Sequence, residues 1–93
     1  MIRIAGDSVE VSGPMTMPAA AALLAEGEAA IASSSATFDL AAVTDLDSSS
    51  LAVIFGWMRA AQAGGKSLRL LNPPPNLLSL AAVYDVADLL PPH

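Results

Sequence analysis

The sequence has no cysteine and one histidine, His93, at its last position. Disulfide staples, thiolate nucleophiles and cysteine zinc sites are thereby excluded, and a lone terminal imidazole cannot build a metal cluster. Basic residues are scarce: Arg3, Arg59, Lys66 and Arg69 are scattered among nine acidic residues, giving a net charge of -5. That pattern leaves no footprint for a phosphate backbone or for anionic lipid head groups, so nucleic acid is excluded as a partner. Long apolar runs are also missing. The longest, residues 19–25 and 51–58, fall well short of the roughly 20 residues that span a bilayer. Residues 1–10 alternate apolar with polar and carry Asp7, which does not suit a signal peptide. We read the chain as soluble and cytosolic, with no direct membrane insertion.

What is present is alanine, 19 residues of 93, within a 54% hydrophobic composition. A chain of this length buries about 60% of its unfolded surface, enough for one small core, so we expect a single domain spanning residues 1–93. Ile2 and Ile4, then Val9 and Val11, alternate with polar residues on either side of Gly6-Asp7, the pattern of a short hairpin. After Gly13-Pro14 the period changes to that of a helix, with Ala20, Leu23, Leu24, Gly27, Ala30 and Ile31 on one stripe. Thr16 or Met17 starts this helix, Pro18 suits its first turn, and the serines at 33–35 end it.

Phe38 and Leu40 mark a third strand, and a second helix runs from Asp47 to about Ala63. Gly64-Gly65 stops it. Residues 67–71 form a fourth strand, and Asn72-Pro73-Pro74-Pro75 is a rigid turn. Asn76 caps a third helix with the stripe Leu77, Leu80, Ala81 and Tyr84. The order β-β-α-β-α-β-α implies a small, mostly parallel sheet with helices packed on it, an α/β class.

Three constellations invite a catalytic reading and none sustains it. Gly65-Lys66-Ser67 resembles the end of a phosphate-binding loop, but Ala60 stands where that motif needs glycine, and the order is helix then strand. A serine nucleophile among Ser48, Ser49 and Ser50 would need a base, and only His93 is available. Asp39, Asp45 and Asp47 lie near one strand end, where a metal or acid–base pair is conceivable, but such a cluster more often caps a helix. We expect neither an enzyme nor a cofactor or metal.

The second helix carries more information. With Leu51 at the origin and roughly 100° per residue, Ile54, Phe55, Met58, Ala61 and Gln62 share its face, the expected core stripe. The opposite face reads Ala52, Val53, Gly56, Trp57, Ala60 and Ala63, with Arg59 the only charge on the helix. A small chain rarely buries a helix on both sides, so we expect this apolar face to meet a partner, with Trp57 as its anchor and with little role in stability; the alternative is that Trp57 wraps into the edge of the core.

The segment 38–52, containing Asp47-Ser48-Ser49-Ser50-Leu51, resembles the signature of STAS domains, in which a strand ending in Asp-Ser/Thr opens a helix. The glycine turn at 64–66 and the following strand and helix extend that resemblance over nearly the whole chain. It implies a binding or regulatory domain without catalysis of its own. The ending 77–91, with Leu80-Ala81, Tyr84 and Leu90-Pro91, is similar to that of MlaB-like subunits. Those are cytoplasmic proteins that dock on the ATPase of a phospholipid ABC transporter. The alternative branch is that of anti-sigma factor antagonists, in which the serine after the aspartate, here Ser48, is phosphorylated by an anti-sigma kinase.

The partner surface this implies comprises Asp47, Ser48, Ser49, Ser50, Ala52, Val53, Gly56, Trp57 and Ala60. Through such a partner the domain would sit peripherally on the inner membrane. Ser50 departs from the family pattern, which has glycine there, and we expect the added hydroxymethyl group to alter the docking fit. We expect the Ser48 hydroxyl to cap the helix.

Overall fold

A computed structural model describes every residue except Ser34, Pro92 and His93. Strands β1 (Ile2–Ala5) and β2 (Ser8–Met15) form an antiparallel hairpin. Gly6, at φ +61°, supplies the left-handed turn residue between them. Helix α1 (Met17–Ser33) crosses to β3 (Thr37–Leu46), which pairs parallel with β2. Helix α2 (Ser49–Ala63) crosses to β4 (Arg69–Leu71), parallel to β3. Helix α3 (Pro75–Val83) and a 3₁₀ turn (Ala87–Leu89) complete the described chain. The sheet order is β1-β2-β3-β4, and the α/β class and element order agree with the sequence reading.

Alternation sorts the strands cleanly. Val9, Val11, Phe38, Leu40 and Leu70 are buried on one sheet face, while Ser8, Glu10, Ser12, Thr37 and Asp39 lie between them in sequence and are less buried. Such one-sided burial is what a period of two produces when helices cover a single face. α1 contributes Leu23, Gly27, Ala30 and Ile31, the stripe read from its spacing, and α3 adds Leu77 and Ala81.

Strand β3 is longer than the alternation of Phe38 and Leu40 suggested, because it continues to Leu46 through two register shifts against β2. The shifts place extra residues in β3, and Pro14, which has no amide to donate, sits at the second of them. β4 is shorter than expected, three residues rather than five. Pro75 occupies the first turn of α3 and Pro74 precedes it, so proline rather than an Asn76 cap sets that start. The serine run that ends α1 includes Ser34, and the candidate base is His93; both lie outside the described residues.

Candidate functional site

The site is built around one carboxylate at the end of β3. Asp47 Oδ1 accepts from the Ser49 amide at 2.8 Å, and Oδ2 accepts from the Met17 amide at 3.1 Å. One side chain therefore satisfies an otherwise unpaired donor at the start of α2 and another at the start of α1. The Ser49 amide, followed by the Met17 amide, holds the Asp47 carboxyl below its ordinary value of 3.8. Sequence reasoning placed Asp47 at a helix start; the tie to α1, 30 residues away, had no local signal.

The three serines have separate environments. Ser48 is exposed and makes no side-chain cap bond, so the expected capping role of its hydroxyl belongs to Asp47 instead. Ser49 is half-buried. Ser50 is 0% exposed, and its hydroxyl donates to the Asp47 carbonyl oxygen at 2.7 Å. The hydroxymethyl group that was expected to alter docking thus points inward and is satisfied by local backbone.

The phase of α2 corrects the expected interface. Val53, Gly56 and Trp57 are buried, with Trp57 at 0% exposure. Its Nε1 donates to the Leu23 carbonyl at 3.1 Å, and its ring lies 4.5 Å from that of Phe38 at an interplanar angle of 34°. α2 is covered by the sheet on one side and by α1 on the other, which a small domain achieves by using glycine where the helices meet. A Cβ built on Gly27 would lie 2.0 Å from Trp57 Nε1, and one on Gly56 would lie 2.4 Å from Leu24 Cδ1. The small residues around Trp57 do permit close helix approach, and the helix that approaches is α1.

Rotating the helix by about one residue, roughly 100°, converts the expected faces into the observed ones. Leu51, Ile54 and Ala61 are core as expected, Phe55 and Met58 are half-buried, and Gln62 is exposed. The outward stripe is Ser48, Ala52, Phe55, Arg59 and Gln62, spaced 4-3-4-3 along one side. Of the expected partner residues, Ser48 and Ala52 lie on it, Ser49 is half-buried, Asp47 sits at its head, and Ala60 is half-buried on the side of α2 that meets Glu28, Ile31 and Ala32 of α1. Phe55 and Arg59 were missed as surface residues; the 4-3-4-3 spacing from Ser48 was the available signal.

The acidic cluster does not converge. Asp39 Oδ1 accepts from the Ala41 amide and from Asn72 Nδ2, and Asp47 is engaged as described. Among the described residues no group of three or more acidic or histidine side chains is placed to hold a metal ion. Gly65, at φ +73°, ends α2, and Lys66 Nζ donates to the Ile31 carbonyl at the end of α1, so Gly65-Lys66-Ser67 forms a helix stop.

Comparison with known families matches residues 1–91 to the model described as Mlab, STAS domain. The chain belongs to the STAS domain family. Solved structures share its fold. The anti-sigma factor antagonist SpoIIAA in its unphosphorylated form is 21% identical, with a TM-score of 0.64 over 85% of this chain and 77% of that one. The Bacillus cell fate determinant SpoIIAA in its phosphorylated form is 18% identical, with a TM-score of 0.66 over all of this chain and 89% of that one. The structure of Mglu is 22% identical, with a TM-score of 0.59 over 81% of this chain and 20% of that one. No curated protein matches.

Proposed function

We propose that this STAS domain is a non-catalytic accessory subunit that docks on the cytoplasmic ATPase of an ABC-type phospholipid transporter, using the head and outward stripe of α2. The observation that carries the reading is the stripe Ser48, Ala52, Phe55, Arg59 and Gln62, exposed but for a half-buried Phe55, in a chain matched along residues 1–91 by the MlaB-type family model. Ala52 is small and exposed, Phe55 is a half-exposed aromatic and Arg59 is a single cation: an apolar centre flanked by one charge, a composition that suits a protein partner. No helix among the described residues is long and apolar enough to cross a membrane, so membrane association would come through the ATPase.

A second reading, the phosphorylation-controlled anti-sigma antagonist, is supported by the exposure of Ser48 and by the fold shared with both forms of SpoIIAA. Electrostatics ranks it second. The Ser49 amide is already engaged by Asp47, so a phosphate on Ser48 would sit beside that carboxylate and compete for its donor.

Binding to the purified ATPase of a phospholipid ABC transporter from the same genome tests the first reading. Ala52→Arg and Ser48→Arg should each weaken binding by about tenfold or more, which is about 1.4 kcal/mol, while leaving thermal unfolding nearly unchanged. Absence of binding by the natural chain, or unaltered binding by Ala52→Arg, overturns it. Intact mass after incubation with ATP and a co-encoded kinase tests the second: one phosphate, lost in Ser48→Ala, is the supporting result.

A further inference from the structure

The two edges of the sheet are guarded unequally. At one end β4 is three residues long, carries Arg69 and runs into Asn72-Pro73-Pro74-Pro75, so it offers little to an added strand. At the other end β1 has no proline, lysine or bulge, and its register against β2 is unbroken from Ile2 to Ala5. The hydrogen-bond phase of that edge follows from its first pair. The Met1 amino group donates to the Ser12 carbonyl at 2.7 Å, and the Ser12 amide donates to the Met1 carbonyl at 2.8 Å. Bonded and non-bonded pairs alternate along an antiparallel ladder, so Arg3 with Glu10 and Ala5 with Ser8 are the next bonded pairs. Ile2 and Ile4 therefore turn their N–H and C=O groups away from β2, toward the side where no strand pairs.

The side chains of the same two residues border an open groove. Ile4 is 49% exposed, and with Ile2 it forms one wall of a groove of about 380 Å³. The other wall is the flank of α1 at Glu26, Ala29, Ala30 and Ser33, where small residues leave room for the side chains of another strand. Arg3 is the one charge on β1, and a charge on an edge ordinarily discourages pairing. Here it is bound to Glu10 on β2, so its guanidinium is drawn back over the sheet and off the edge.

We propose that the β1 edge pairs with β1 of a second copy of this chain, antiparallel about a two-fold axis at Arg3, joining the two four-stranded sheets into one continuous sheet. Self-complementarity decides the occupant. That axis sets Ile2 opposite Ile4 of the second copy, and each such pair exchanges both N–H···O=C bonds, so every free group of Ile2 and Ile4 on both edges is satisfied. Moving the axis to Ile4 would set Ile2 against Gly6 in the turn instead. On the groove face, isoleucines meet across the new ladder, the cross-strand contact that stabilises sheets. On the opposite face the two Arg3 side chains are neighbours, and their repulsion is relieved because each is held by its own Glu10. A short strand and one helix flank bury less than the roughly 1,200 Å² of a standard interface, so the dimer forms in a concentration-dependent way.

Sedimentation equilibrium of the full chain at concentrations up to about 1 mM, the weak end of the affinity scale, should show the mass rising from that of one chain toward that of two. Amide hydrogen exchange at Ile2 and Ile4 should slow over the same range as the monomer fraction falls. Ile4→Pro removes a donor that points to the second copy and none that serves β2, so it should weaken association by about tenfold or more while far-ultraviolet circular dichroism and melting stay near those of the parent. Ile4→Lys keeps the donor, places a charge in the joint and should weaken association to a similar extent. Glu10→Gln releases Arg3 and should weaken association several-fold at low salt but little at about 1 M salt; adding Arg3→Ser should restore it. A chain that stays monomeric to about 1 mM overturns the proposal and leaves the edge to a strand of another protein. So does a dimer that Ile4→Pro and Ile4→Lys leave unchanged, or one in which Ile2 and Ile4 exchange as fast as in the monomer. None of these measurements involves an ATPase, so their outcome is independent of the transporter reading.

Discussion

Replacing Trp57 by alanine removes the largest buried side chain of the domain, and the cost can be worked from its contacts. The indole is 0% exposed, donates to the Leu23 carbonyl at 3.1 Å and lies 4.5 Å from Phe38. Truncating a buried tryptophan to alanine costs about 3–5 kcal/mol in transfer and cavity terms. The ring pair adds about 1 kcal/mol, partly counted already in the cavity figure. The Leu23 carbonyl keeps its place in α1, so losing the indole donor costs at most about 1 kcal/mol more. We expect a total near 4 kcal/mol. A chain of 93 residues has a stability of about 5–14 kcal/mol by its length, so this single change removes a large share of it.

Urea unfolding followed by far-ultraviolet circular dichroism measures the effect without needing the tryptophan signal. Trp57→Phe separates the contributions: it keeps a ring against Phe38, loses the bond to Leu23, and should cost about 1–2 kcal/mol. A loss below about 1 kcal/mol for Trp57→Ala, well under the range for buried aromatics, would refute the core assignment. It would return Trp57 to the role of an exposed anchor.

The glycines at the α1–α2 contact should differ in how much their replacement costs. Gly27→Ala drives a methyl into the rigid Trp57 indole and should destabilise by about 1–3 kcal/mol in urea titrations, despite the roughly 1 kcal/mol gained in helix propensity. Gly56→Ala meets only the terminal Cδ1 of the half-buried Leu24, which can rotate, so its melting temperature should stay within a few degrees of the parent. Ser48→Ala should shift stability by less than about 0.5 kcal/mol, since the hydroxyl caps nothing. Asp47 has a folded pKa below 3.8, so the stability it contributes is fully present above that value and is lost as pH falls through the folded value. Asp47→Ala should therefore be less stable at pH 7 and should lose less on acidification below about pH 4 than the parent, as thermal melts across pH will show.

The fold was readable wherever an element meets the core on one side. In α1 the outer face carries Glu26 and Glu28, and the inner stripe from Ala20 to Ile31 could be placed without knowing its neighbours. In β2 and β3 a period of two separates Val9 and Val11 from Glu10, and Phe38 from Asp39. What local pattern could not supply was the length of β3. Its second half, from Ala41 to Leu46, pairs with β2 while exposing most of its side chains, so neither face leaves an apolar alternation.

The site was legible in its head and illegible in its body, for a reason specific to α2. A helix covered by both a sheet and another helix presents an apolar arc wide enough that several phases fit the sequence about equally well, and the sequence offers one charge, Arg59, to choose among them. Arg59 in fact marks the exposed side, and the stripe that continues from it runs through Phe55 and Ala52 to Ser48. Gly27 on the buried stripe of α1 and Gly56 on α2 were the signals that the second covering element lay within the chain, because each is where a side chain would strike the opposite helix. Once α1 claims Trp57, the surface left to a partner is narrower and more polar than an all-round apolar helix suggested. On the proposed docking reading, a partner would draw on Ser48, Ala52, Phe55 and Arg59 together, and the aromatic ring of Phe55, half-buried against the core, would offer only its outer edge.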